Sequence, residues 1–74
     1  MNIDVLISFI NATPFEPFRV GISDGKELEV RHPDYLIISP GKGHVMIYTS
    51  PERFQMVDSK HITRVEPLGT ATHP

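Results

Sequence analysis

The chain has 74 residues, no cysteine, and a formal net charge of −2 from seven Lys and Arg against nine Asp and Glu. This size predicts a single domain near the lower limit for independent folding, and such domains often gain stability by oligomerising. The lack of cysteine excludes disulfides and thiolate metal sites, and the acidic balance disfavours a generally basic nucleic-acid binder, although a local basic patch stays open.

The N-terminal segment predicts a short helix over residues 3–11. Asn2 is a suitable N-cap, and Asp4 lies in the first turn, where a negative charge is favourable. An apolar stripe runs along this helix, and Val5 and Phe9 extend it almost all the way round. Two interpretations stay open: the helix covers one end of a sheet, or Val5 and Phe9 also contact another subunit of a homo-oligomer.

The same segment bears on localisation. It has no basic region followed by a small-residue cleavage site, so a secretory signal is not expected. The longest apolar stretch, near residues 5–10, is far too short to span a bilayer. We therefore expect a soluble, cytoplasmic protein with no membrane partner.

A β-hairpin is predicted for residues 18–30, because apolar residues alternate on both sides of the turn signal Asp24-Gly25. A two-residue turn would bring two glutamates into the core, whereas a three-residue loop places all the large apolar groups on one face. That register pairs Ile22 with Lys26, Val20 with Leu28, and Phe18 with Val30. Gly25 would then adopt a positive φ in a turn with a G1 bulge, which a residue without Cβ adopts easily.

After the hairpin, Pro33 interrupts the second strand, and further short strands are predicted over residues 35–39, 44–49, 54–57 and 61–66. The continuous apolar run at residues 36–38 predicts burial on both sides. The next strand alternates, with Val45 and Ile47 on one face and His44, Met46 and Tyr48 on the other. Connections this short allow only antiparallel neighbours.

The predicted fold is therefore mainly β. A short N-terminal helix is followed by a five- or six-stranded antiparallel sheet that is strongly bent or closed into a small barrel, which would remove its exposed edges. We expect one domain over residues 1–74, with the helix at about 3–11, the barrel at about 17–67 and a flexible tail at about 68–74.

Catalytic or metal-binding patterns are not recognisable in the sequence. The four histidines (His32, His44, His61 and His73) lack metal-ligand spacing. The segment Gly41-Lys42-Gly43 lacks the strand–loop–helix context of a phosphate-binding loop. A barrel this small is filled by its own side chains, which leaves little room for a substrate. We therefore expect no enzyme activity, no cofactor and no metal.

Aromatic and basic side chains remain as candidates for recognition. Aromatic rings can stack on bases, and nearby cations can neutralise phosphates. Alternatively, the tyrosines pack at the edge of the barrel and the cations are simply solvated. The candidates are Tyr35, Tyr48, Lys60, His61 and Arg64, with Arg19 and Arg31 earlier in the chain.

The order of the predicted elements and three motifs resemble the Sm-like fold, including its bacterial Hfq branch. The motifs are Val20-Gly21-Ile22-Ser23-Asp24-Gly25 with Leu28, Asp34-Tyr35-Leu36-Ile37-Ile38, and Lys60-His61-Ile62-Thr63-Arg64-Val65. The resemblance implies a small Sm-like or SH3-like barrel that assembles into rings and binds single-stranded RNA. It implies an RNA-binding role for Tyr35, Lys60 and His61, with Arg64 as a further candidate.

A second resemblance covers the segments Pro14-Phe15-Glu16-Pro17-Phe18-Arg19-Val20, Val30-Arg31-His32-Pro33-Asp34-Tyr35 and Ile62-Thr63-Arg64-Val65-Glu66. These are similar to a group of short, uncharacterised bacterial proteins with a Pro-Phe-x-Pro-Phe motif, which implies no activity.

The sequence as a whole leads to two hypotheses about function. The first is a non-enzymatic small β-barrel interaction module that self-associates or binds a protein partner, and the second is an Sm-like ring that binds RNA.

Overall fold

A computed structural model describes residues 2–68, which form a mainly β structure with one short N-terminal helix. Two single-turn 3₁₀ segments, Pro33–Tyr35 and Ser59–His61, interrupt the strands. The elements are α1 (Ile3–Ile10), β1 (Phe18–Ile22), β2 (Glu27–Val30), β3 (Leu36–Ile38), β4 (His44–Ser50), β5 (Arg53–Asp58) and β6 (Ile62–Pro67).

Helix α1 begins as predicted, because the side-chain oxygen of Asn2 accepts a hydrogen bond of 2.9 Å from the backbone N–H of Asp4. It ends one residue earlier than predicted, at Ile10. Leu6 is its fully buried residue and packs into the core between the sheets. Within residues 2–68, no helix has the length and apolar character needed to cross a membrane.

The hairpin of β1 and β2 has the predicted register. Phe18 pairs with Val30 and Val20 with Leu28, and the backbone N–H of Ile22 donates to the carbonyl of Lys26 at 2.9 Å. Gly25 has a φ of +95°, which is the conformation expected of the bulged turn. The three-residue loop is therefore confirmed.

The strands form two three-stranded antiparallel sheets. In the first sheet the order is β2-β1-β6, and in the second it is β3-β4-β5. The expectation of a closed barrel is wrong, because no ladder among the described residues joins the two sheets, and the single strongly bent sheet is not confirmed. The physical cause lies at Pro33, which cannot donate to a ladder, and in the 3₁₀ turn that begins at this residue and separates β2 from β3.

The core lies between the two sheets, with α1 packed against it, and it contains no buried polar or charged side chain among the described residues. Its residues are Leu6, Phe18, Val20, Leu28, Val30, Leu36, Val45, Ile47, Val57 and Ile62. The predicted alternation of β4 is confirmed, since Val45 and Ile47 point into this core.

One expectation about burial is wrong. Residues 36–38 were expected to be buried on both sides, but Ile37 is 53% exposed. The second sheet has a core on one side only, so the middle residue of the apolar run faces outward.

The last strand extends further than predicted, to Pro67. The N–H of Leu68 then donates to the carbonyl of Pro17 at 3.1 Å, which ties this end to the start of β1. Residues 69–74, which make up most of the predicted tail, lie outside the described residues.

Candidate interaction surface

The outer side of the second sheet carries an apolar row across its three strands. Ile37 of β3, Met46 of β4 and Met56 of β5 are direct cross-strand partners. Met56 is 54% exposed, similar to Ile37, while Met46 between them is half-buried. Cross-strand partners lie on the same face of a sheet, and the exposure of Ile37 and Met56 shows that no layer covers the two ends of this row.

A second, aromatic row lies beside the first. Tyr48 of β4 pairs with Phe54 of β5, and their ring centroids are 5.6 Å apart. The ring of Tyr35 is 6.4 Å from that of Tyr48 on the other side, and the His32 ring is 6.0 Å from Tyr35. Tilted aromatic pairs at these separations are favourable. Phe54 at the end of the row is 51% exposed.

The apolar face consists of these two rows without His32, which lies 3.7 Å from the Asp34 carboxylate and belongs to the border. Its residues are Tyr35, Ile37, Met46, Tyr48, Phe54 and Met56. It contains no charged side chain. The next cross-strand pair along the sheet is polar, with His44 opposite Asp58. Most soluble monomers expose only small contiguous apolar patches, and a larger one with a polar border marks a contact site.

The outer side of the first sheet is different, because its charges pair with one another. Arg19 lies between two glutamates, with its Nη1 3.2 Å from Glu66 Oε1 and its Nε 3.6 Å from Glu27 Oε1. Arg64 contacts the same two carboxylates, with its Nε 3.5 Å from Glu66 Oε1 and its Nη2 in an ion pair with Glu27. These four residues form a closed ring of ion pairs, here called the charged network.

Gly21 lies under the charged network and makes it possible. A Cβ at this position would be 2.9 Å from both Cγ and Nη1 of Arg64, which is closer than real contacts allow. The Arg64 side chain therefore crosses β1 over the bare backbone of Gly21 and reaches Glu27 on the far strand.

We expect Gly21→Ala to lower the free energy of unfolding by about 1 kcal/mol, because the new methyl group displaces Arg64 and weakens its ion pairs. In a strand interior, alanine by itself gives a more stable fold than glycine, because it loses less conformational entropy on folding. In an Arg64→Ala background the same substitution should therefore be neutral or stabilising. Urea denaturation of the four proteins in this double-mutant cycle measures the coupling. Equal effects of Gly21→Ala in both backgrounds would contradict this role for Gly21.

The RNA-binding candidates lie in separate places. Tyr35 is part of the apolar face, whereas Arg64 is in the charged network on the outer side of the other sheet. Lys60 and His61 lie in the second 3₁₀ segment, where the side chain of Asp58 accepts a hydrogen bond from the Lys60 N–H at 2.9 Å. The structure thus does not bring Tyr35 and Arg64 together.

His61 lies beside the hairpin turn. Its Nδ1 is 3.2 Å from the hydroxyl of Ser23, and its carbonyl accepts a hydrogen bond of 2.8 Å from the Ser23 N–H. An open cleft of about 410 Å³ adjoins this contact, between the hairpin turn and β5, and is lined in part by Lys26, Gln55 and Asp58. The contacts of His61 therefore link the turn to the start of β6.

The two self-association candidates on α1 differ from each other. Val5 is 41% exposed, whereas Phe9 is partly buried, with its ring edge-to-face against Phe18 at a centroid distance of 5.2 Å. The helix thus presents less apolar surface than its sequence indicates. Contact of α1 with another subunit remains a prediction.

Four members of the apolar face were not identified as site residues from the sequence: Ile37, Met46, Phe54 and Met56. A signal was present, because the side of β4 that does not face the core carries Met46 and Tyr48 instead of polar residues. Phe54 and Met56 repeat that spacing in β5. A sheet with one solvated face alternates apolar and polar residues, so apolar residues on both faces indicate a covered or binding surface.

Comparisons with protein-family models, curated proteins and solved structures each found no match to this chain. Within residues 2–68, no group of three or more His, Asp or Glu side chains could hold a metal ion. What the apolar face does is therefore inferred from its own side chains and their surroundings.

Proposed function

We propose that this protein is a non-enzymatic interaction module that contacts another protein through the apolar face. The observation that carries the proposal is an uncharged apolar surface across all three strands of the second sheet, beside a core that is already complete. Interface centres are depleted in charge and enriched in aromatic residues and methionine, which is the composition of this face.

Three side chains of the apolar face have free energy to gain from burial by a partner. Ile37, Phe54 and Met56 each remain about half exposed. Fully burying such a side chain contributes roughly 1.5–3 kcal/mol, so each has roughly 1 kcal/mol left to gain. A partner that covers all three would therefore gain a few kcal/mol before the costs of association. The charged network offers no comparable gain, because its charges already have partners.

An apolar fluorescent dye tests whether the face is an accessible binding surface. We expect dilute wild-type protein to bind the dye, and Met56→Lys to bind it much more weakly, because a charge then replaces one of the most exposed apolar side chains of the face. Val5→Lys is the matched control, since it places the same charge at an exposed apolar position outside the face. Equal dye binding by wild type and Met56→Lys would remove the support for this function.

We propose an Sm-like, RNA-binding ring as the second candidate. Two observations favour it. The row of aromatic rings on the apolar face could stack on bases, and a short N-terminal helix precedes a series of antiparallel strands, as in the Sm-like fold. The finer architecture that the resemblance implies, one strongly bent antiparallel sheet, belongs to this candidate. The absence of cations within the apolar face weighs against it.

If RNA binds, replacing Lys60 and His61 together by alanine should abolish binding and leave the melting temperature nearly unchanged, since both side chains are exposed. Titration with single-stranded RNA at two salt concentrations measures this, because binding to phosphates weakens steeply with salt. Lys42→Ala removes an exposed charge from a different turn and serves as the control. Unchanged RNA affinity in the Lys60 and His61 variant would contradict their assignment.

A further inference from the structure

We infer that the partner of the apolar face is a second copy of this chain, with the two second sheets packed face to face about a two-fold axis. This inference rests on the proposed function and adds the identity of the partner. Three observations favour a second copy: the arrangement of the two rows, the area of the face, and its lack of charge.

The arrangement of the rows makes the face complementary to itself. Consider a two-fold axis that lies between the sheets and runs across the strands, midway between the two rows. It places the row of Ile37, Met46 and Met56 of one copy over the aromatic row of the other. Met46 then lies over Tyr48 of the second copy, and Met56 lies over Phe54. Each such contact occurs twice, as an isologous interface requires, and thioether–aromatic contacts are favourable.

The exposed area fits a weak dimer. An aromatic side chain presents roughly 150–250 Å² when fully exposed, so a half-exposed Phe54 contributes on the order of 100 Å². Ile37 and Met56 are exposed to a similar degree, and half-buried Met46, Tyr48 and Tyr35 extend the patch. Two such faces together reach only the lower end of the size range for specific interfaces. We therefore expect association that depends on concentration in the micromolar range or above.

The lack of charge on the face favours a second copy over nucleic acid as the partner. A phosphate backbone needs cations, and none of the six residues of the face is charged. The adjacent polar pair, His44 and Asp58, includes a carboxylate, which would repel phosphates. An uncharged sheet surface is instead matched by another uncharged sheet surface, and the second copy supplies one at equal concentration.

Sedimentation equilibrium over a wide range of protein concentration tests the inference. We expect the wild type to shift from monomer to dimer as concentration rises, and its dye binding per chain to fall in parallel as the faces cover each other. Met56→Lys and Phe54→Lys should each weaken dimerisation on the order of 100-fold, because the dimer would bury an unpaired ammonium group. Circular dichroism should show both variants folded, since the replaced side chains are exposed.

Val5→Lys is the control for contact through the helix and should dimerise like the wild type. A dimer that is lost in Val5→Lys but kept in Met56→Lys would overturn the inference in favour of α1. A wild type that stays monomeric at high concentration would also overturn it. If that monomer still binds the dye through Met56, the proposed function stands and the partner is a different protein. If RNA saturates the face instead, the second candidate function replaces it.

Discussion

Phe18→Ala should lower the free energy of unfolding by about 3–5 kcal/mol, the cost of truncating a fully buried phenylalanine. Phe18 holds the N-terminal segment onto the first sheet, with the Phe9 ring at 5.2 Å and the Phe15 ring at 6.0 Å. A domain of this size has a total stability of only about 4–11 kcal/mol. We therefore expect a fall in melting temperature on the order of 20 °C, measured by circular dichroism.

Phe54→Ala is the matched control for this variant, because it removes the same atoms from a half-exposed position on the apolar face. At a protein concentration where the chain is monomeric, it should change the melting temperature little. Similar losses in Phe18→Ala and Phe54→Ala would contradict the role of Phe18 as the buried anchor of the N-terminal segment.

Gly25→Val is expected to destabilise the hairpin by about 1–3 kcal/mol. The φ of +95° at this position is strained for any residue with a Cβ, and most of all for a β-branched one. Apart from Gly25 and its two chain neighbours, no described residue has an atom within 4 Å of the place where a Cβ would be, so the cost comes from the backbone conformation and not from crowding by other residues. Thermal melting should show a loss on the order of 10 °C.

The control for Gly25→Val is Gly41→Val, which tests the same chemical change in another exposed turn. Gly41 also has open space around its Cβ position but does not adopt a positive φ. We expect its melting temperature to stay close to that of the wild type. If both valine variants melt alike, the positive φ of Gly25 is not what stabilises the turn.

Local features of this chain were predictable from sequence. The hairpin register follows from two signals that are close in sequence. One is the alternation of apolar residues in β1 and β2, and the other is the glycine at the turn. The helix cap at Asn2 and the two faces of β4 are similar cases, since each depends on residues within a few positions. Their physical causes, a period of two and a short-range hydrogen bond, are visible in one segment at a time.

Features that join distant segments were not predictable in this way. The sequence predicts Arg64 as an RNA-binding candidate, whereas in the structure it forms an ion pair with Glu27. This pair is not visible in the sequence, because the two residues are 37 positions apart and come together only when β6 pairs with β1. The outward position of Ile37 depends on which side of the second sheet the core covers. The apolar face combines residues from β3, β4 and β5, so its continuity exists only after the strands pair.

The charged network has a consequence for how far association can proceed. A sandwich with two apolar outer surfaces could stack copy upon copy into an open fibre, because each added chain would present a fresh surface. In this protein the opposite surface carries paired arginines and glutamates. The free energy lost by dehydrating these charges against another chain would exceed the free energy gained from the new contacts. Growth through the apolar face would therefore terminate at two chains, and the charged surfaces would remain hydrated on both outer sides of the pair.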